Sequence, residues 1–258
     1  MSHPERMTAR PRRLRRAFAV ATAGAAFATL AACGSSSNAV PNISGGSELD
    51  AMIPPRIASM PLTNQDGKTV HLADFKGKTI LVQDGMTLCQ EQCPIDTATF
   101  VGLAREYTKS ADKAKDVVFL TITVDPQRDD PAQLKAYRDL YAPNGALPQW
   151  QTLTGSPGDI AALWKYFHVY WEKVPQDAAV KNWRTGARLT YDVQHSDEVF
   201  FIDGSLKQRY LLEGMPSLGG AIPAKIKSFM TADGMANMKM TNWTVANGIT
   251  VLDWMRTL

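Results

Sequence analysis

The segment VVFLTITV at residues 117–124 limits the fold more than any other stretch of this 258-residue chain. It is almost unbroken in apolar side chains and rich in β-branched ones. A strand with one wet face alternates apolar and polar residues, whereas a run without alternation must be covered on both faces. Residues 117–124 therefore predict a central strand of a parallel or mixed sheet with helices above and below it. The flanking sequence supplies them. Pro94 suits a first helical turn, and Ile95, Phe100, Leu103, Ala104 and Tyr107 follow at helical spacing. Asp130-Pro131-Ala132-Gln133 has an N-cap and a residue placed for a capping box, continued by Leu134, Tyr137 and Tyr141. Ser156-Pro157-Gly158-Asp159 opens a further helix through Ile160, Leu163, Trp164 and Phe167.

Residues 79–82 and 150–153 predict short strands, and 62–70 predicts a hairpin about Asp66-Gly67. A second hairpin is predicted for 199–202 and 206–211 about Asp203-Gly204, with helices over 222–230 and 245–258. Residues 174–190 are polar and aperiodic and predict a surface insertion. Strand–helix alternation closed by a hairpin and a helix is a three-layer α/β pattern.

The first residues have the pattern of an export signal. Arg10, Arg12, Arg13, Arg15 and Arg16 precede an apolar run from Ala17 to about Leu30, too short to span a bilayer. Leu30-Ala31-Ala32-Cys33 is similar to the bacterial lipobox, in which the cysteine is acylated and becomes the mature N-terminus. Arg15-Arg16 also resembles a twin-arginine signal. The expected organisation is a signal over 1–32, a lipidated flexible tether over 33–56 and one domain over 57–258, held on the outer face of a bacterial membrane. The tether is assigned on its Ser, Asn, Gly and Pro content. The formal charge of +3 comes from the signal: six arginines and one glutamate lie in residues 1–32, and without them the chain is at −2. A folded part with that balance carries no nucleic-acid footprint.

Of three cysteines, Cys33 belongs to the signal, which leaves Cys89 and Cys93. One close pair is no disulfide framework and points to metal or redox chemistry. The pair lies between a predicted strand and a predicted helix, where backbone N–H groups and the helix dipole favour thiolate. Two thiolates with an imidazole suit copper(I) or zinc, and a closed zinc site normally takes four protein ligands. His71 reads as a surface residue of the first hairpin and His168 as a core or surface residue of an aromatic helix. His195, in Gln194-His195-Ser196-Asp197, is placed in a loop before the strand at 199–202, where a sheet can present a ligand. Met235, Met238 and Met240 form a cluster whose thioethers could meet copper(I), although such spacing more often serves packing.

Several segments in order resemble the Sco/SenC family over about residues 57–232. They are Leu62 to Gly67 with Leu72 to Lys78; Gly85 to Pro94 around the cysteines; Val124 to Pro131; Leu134 to Tyr137; Leu153 to Ser156; and His195-Ser196 with Phe200 to Asp203. The resemblance implies a thioredoxin-like α/β/α fold with an added N-terminal β-hairpin. It implies one copper ion, Cu(I) or Cu(II), on Cys89, Cys93 and His195. It also implies delivery to the copper-bearing subunit of cytochrome c oxidase, with a copper donor and a thiol reductant as further partners.

The chain departs from the family pattern at Met86 and Gln90, where an aromatic and a proline are usual. Gln83-Asp84 stands where apolar or aromatic residues usually precede the glycine, and Gln194 where an aspartate usually precedes the histidine. These changes fall around the ligands and bear on affinity and potential. Two other functions compete with delivery: a thiol–disulfide oxidoreductase acting through Cys89 and Cys93 on an apo-metalloprotein, and a peroxide-reducing thioredoxin-fold enzyme. Simple dithiol exchange needs no distant imidazole, so His195 separates these from copper delivery.

Overall fold

In the computed structural model every residue of the central strand, Val117–Thr123, is buried. Its side chains divide by alternation. Val117 and Phe119 enter one apolar cluster, and Val118, Leu120 and Ile122 enter another on the opposite face. The structure describes residues 39–176, 179–239 and 241–258. The export segment, Cys33 and Met240 lie outside the described residues. Among the described residues no helix is long and apolar enough to cross a membrane.

The elements in chain order are β1 (Gly46–Met52), α1 (Pro55–Ala58), β2 (Leu62–Asn64), β3 (Thr69–Val70), β4 (Thr79–Gly85), α2 (Cys93–Tyr107), α3 (Ala111–Ala114), β5 (Val117–Thr123) and α4 (Pro131–Tyr141). They continue as β6 (Trp150–Thr154), α5 (Pro157–Phe167), β7 (Trp171–Pro175), β8 (Tyr191–His195), β9 (Glu198–Ile202), β10 (Lys207–Glu213), α6 (Ala224–Lys227), α7 (Ala232–Asn237) and α8 (Val245–Met255). Eight strands form one mixed sheet in the order β1-β10-β9-β4-β5-β6-β2-β3, and β7 and β8 form a separate ribbon. β4, β5 and β6 are parallel, and β9 runs antiparallel to β4. Phe100 and Leu103 of α2, Tyr137 and Tyr141 of α4, and Val251 and Leu252 of α8 cover one face. Ile57 of α1 with Leu163, Trp164 and Phe167 of α5 cover the other. The result is the expected three-layer, thioredoxin-like α/β fold. The predicted hairpin of β2 and β3 extends the sheet beyond β6, with Gly67 in the left-handed region (φ 73°) at its turn.

Helix starts follow the sequence signals. The Asp130 carboxylate accepts from Gln133 N at 2.6 Å, and Ser156 Oγ accepts from Asp159 N at 3.1 Å. The Gln133 side chain does not close a capping box; it donates to Thr87 Oγ1 at 3.0 Å and so reaches the cysteine loop.

Three expectations need correction. The tether read over 33–56 contains β1, which pairs antiparallel with β10, and Ile57 and Ala58 behind it are buried. Tyr210 Oη donates to Pro41 O at 2.6 Å, so the chain is fastened upstream of β1 as well. GSELDAM carries no apolar face because backbone ladder bonds at a sheet edge hold it; most of its side chains are exposed. Second, the insertion at 174–190 is flanked by regular structure: β7 pairs with β8, Trp171 opposite His195. Third, the helix read over 222–230 is only α6, and α7 follows it.

Candidate metal centre

β4 drives a polar pair into the sheet. Ile80, Leu81 and Val82 are followed by Gln83 and Asp84, both buried, and the strand ends at Gly85. The chain then loops through Cys89 and enters α2 at Cys93. The cysteines do not share a helix face as i and i+4 of one helix: Cys89 precedes the helix and Cys93 is its first residue. Gln92 at the N-cap supplies no capping bond from its side chain, which donates to Asp96 Oδ1 at 3.3 Å instead. In its place Cys93 N donates to Cys89 Sγ at 3.3 Å, so the first orphan N–H of the helix is turned on the sulfur. Cys89 is half-buried, Cys93 is 1% exposed, and both are free thiols.

His195 is the last residue of β8, not a loop residue, and the ribbon swings it over the cysteines. Its Nε2 lies 3.1 Å from Cys93 Sγ. Its Nδ1 lies 2.7 Å from Asp84 Oδ2 and 2.7 Å from Ser196 O. Asp84 Oδ1 accepts from Glu198 N at 2.9 Å. Both side chains of the Asp84–His195 pair are buried, 1% and 5% exposed.

The electrostatics follow from this contact. The hydrogen bond from the Cys93 thiol holds Cys89 below the usual thiol range against the opposing effect of burial, and the His195 charge adds to it. Burial, then the neighbouring Cys89 sulfur, pushes the Cys93 thiol well up. Burial works against a charged His195, yet the hydrogen bond and charge of Asp84 outweigh it, and the imidazole is pushed up to about 10. Burial also raises Asp197 to about 6, Glu198 to about 7 and Asp96 well above the carboxylate range. In the folded, metal-free centre Cys89 is thus the more acidic thiol, Cys93 the less acidic one, and the imidazole keeps its charge beside Asp84.

The loop is braced from below. Asp129 accepts from Thr87 N at 3.2 Å and from Thr123 Oγ1 at 2.6 Å. Trp183 Nε1 donates to Thr87 O at 2.8 Å. Arg128 is paired with Asp125, donates to Tyr191 O at 2.6 Å, and lies 4.0 Å over the Tyr191 ring. The segment 125–131, read from sequence as a turn and helix cap, therefore also ties the cysteine loop to the first residue of β8.

A cleft of about 670 Å³ opens over the site, lined by Cys89, Gln90, Tyr170, Val193, His195 and Thr231 among others. Neither of the two other histidines among the described residues joins it. His71 pairs with Asp74 at the start of a short helical turn, and His168 is an exposed, left-handed residue (φ 62°) closing α5. Thr231 N donates to Gln90 O at 2.9 Å, which brings α7 against the cysteine loop. Met235 and Met238 at α7 are half-buried and do not line the cleft. Asp84 is the site residue whose role the sequence did not reveal; its signal was a carboxylate ending an apolar strand.

The donor chemistry fits a soft metal: two sulfurs and an imidazole nitrogen, with Nδ1 already engaged. The three are strung in a hydrogen-bonded chain. Among the described residues no three His, Cys, Asp or Glu side chains yet surround a common centre. The protons that hold the chain are those a metal would displace.

The model of the family described as SCO1/SenC matches residues 56–230. The SCO1 protein homolog of Bacillus subtilis is 31% identical over 134 residues, 52% of this chain and 61% of that protein. The protein SenC of Rhodobacter capsulatus is 30% identical over 145 residues, 56% and 58% of the two chains. The match thus spans about three-fifths of each relative. The crystal structure of Arabidopsis thaliana ScoI, with copper bound, superposes with a TM-score of 0.53 at 22% identity, over 78% of this chain and 99% of that one. That likeness supports the fold.

Proposed function

This chain belongs to the SCO1/SenC family, and from that premise we propose that it is a copper-binding chaperone of cytochrome c oxidase assembly. Cys89, Cys93 and His195 hold the ion. One observation carries the reading: His195 Nε2 stands 3.1 Å from Cys93 Sγ although 102 residues separate them in sequence. Thiolates favour copper(I), and the imidazole extends the set toward copper(II). Copper is cargo here. Three protein donors beneath an open cleft leave a side from which an acceptor's ligands can take the ion.

Delivery to the copper-bearing subunit of the oxidase belongs to the same proposal, as do a copper donor and a reductant that keeps the pair as thiols, since a disulfide offers no thiolate. So does export, with lipidated Cys33 holding the domain at the outer face of the bacterial membrane. The redox alternative gains nothing from the geometry, because dithiol exchange has no use for the imidazole set against Cys93.

Copper titration of the reduced protein tests this reading. Wild type takes up one copper(I). Cys89→Ser and Cys93→Ser nearly abolish binding. His195→Ala weakens copper(II) more than copper(I), because two thiolates alone can hold copper(I). Unchanged affinity of His195→Ala for both oxidation states would overturn the assignment.

A further inference from the structure

The geometry points to Asp84 as the positioning residue of His195: it keeps the ring proton on Nδ1 and thereby presents Nε2 to the cysteines. The inference deepens the copper reading and rests on it. Asp84 belongs to the centre of the main sheet and His195 to the separate ribbon, 111 residues apart in sequence. Both atoms that meet Nδ1, Asp84 Oδ2 and Ser196 O, are 2.7 Å away, and each can only accept. Nδ1 must therefore carry a hydrogen, which fixes Nε2 as the nitrogen left for a metal.

Asp84 is itself immobilised. Its other oxygen accepts from Glu198 N at 2.9 Å, and its backbone lies between β5 and β9. A carboxylate buried at the end of an apolar strand is costly unless hydrogen-bonded, and His195 Nδ1 is its side-chain partner. Gln194 stands where the family resemblance expects an aspartate. It is exposed, and strand alternation turns its side chain to the opposite face of β8 from His195. In this chain the carboxylate beside the imidazole comes instead from β4, at a position where the family resemblance expects an apolar or aromatic residue.

The test is Asp84→Asn. The backbone N–H of Glu198 can only donate, so the amide oxygen must stay with it and the NH₂ falls opposite His195 Nδ1. The ring must then give up the Nδ1 proton or turn away. In reduced, metal-free protein, ¹⁵N NMR of the imidazole should show Nδ1 protonated in wild type and unprotonated or displaced in Asp84→Asn. Copper(II) affinity should fall about 10–100-fold in the variant, the usual consequence of removing such a support. The nitrogen hyperfine signal in its electron paramagnetic resonance spectrum should weaken as in His195→Ala, while copper(I) affinity changes only a few-fold. An Asp84→Asn protein with protonated Nδ1 and a wild-type copper(II) spectrum overturns the inference. So does an unprotonated Nδ1 in wild type, a result that needs no variant to fold. Failure of the copper reading is separately visible as wild type that binds no copper, or as His195→Ala with full affinity.

Discussion

Cys89 and Cys93 are four positions apart and chemically unlike. Cys89 is half-exposed and held toward thiolate, whereas Cys93 is 1% exposed and held as a thiol. Since thiolate is the nucleophile, iodoacetamide at neutral pH should alkylate Cys89 well before Cys93 in the reduced protein, read by peptide mass mapping. Equal labelling would contradict the asymmetry. The pH dependence of stability has a sign that can be worked out. His195 is raised from 6.5 to about 10, so the folded state holds its proton longer than the unfolded chain. Its contribution is complete below about pH 6.5 and is lost as pH rises toward 10. Lowered Cys89 acts in the opposite sense only until its unfolded value near 9 is passed. Between pH 9 and 10 the reduced wild type should therefore lose stability more steeply than His195→Gln, measured by urea midpoints. The proposed copper ligands stand out in the sequence because their residue types are scarce: three cysteines and four histidines in the whole chain. Asp84 was legible only as a departure, since its meaning depends on a partner 111 residues away.

The elements that carry those residues were legible in proportion to the apolar surface they bury. β5, α2 and α5 announce themselves by period, while β7 and β8 form a ribbon with few buried side chains and gave no pattern. α7 is short, yet it braces the cysteine loop. A Cβ on Gly234 would stand 2.5 Å from Gln90 O and 2.7 Å from Glu91 Cα, both backbone atoms that cannot rotate away. Gly234→Val should destabilise the protein by about 1–3 kcal/mol and lower copper affinity by displacing the loop. Gly158→Ala, whose added carbon meets only Ser156 Oγ at 3.9 Å, should be neutral or stabilising by up to about 1 kcal/mol. Urea denaturation of both separates the close approach from a general glycine effect; equal behaviour would show that α7 yields without resistance.

Across the whole molecule, β1 is what the sequence concealed, because an edge strand held by its backbone needs no hydrophobic pattern. Its removal has a definite outcome. A chain beginning at residue 57 leaves the β10 edge unpaired and should associate with rising concentration, whereas one beginning at 39 should stay monomeric; light scattering distinguishes them. Cys33→Ala should release the full-length protein from the membrane fraction, and unchanged partition would remove the lipid anchor from the proposal. Pairing of β1 also shortens the leash. With Cys33 as the proposed anchor, eight positions separate it from Pro41, where Tyr210 fastens the chain, and eight residues in any conformation span at most about 28 Å. A tether running to residue 56 would have allowed nearly three times that. On the proposed anchoring, the point where the folded domain is fastened stays within that distance of the lipid. An acceptor held in the same membrane would then meet it at the high local concentration of tethered neighbours rather than by diffusion through the compartment.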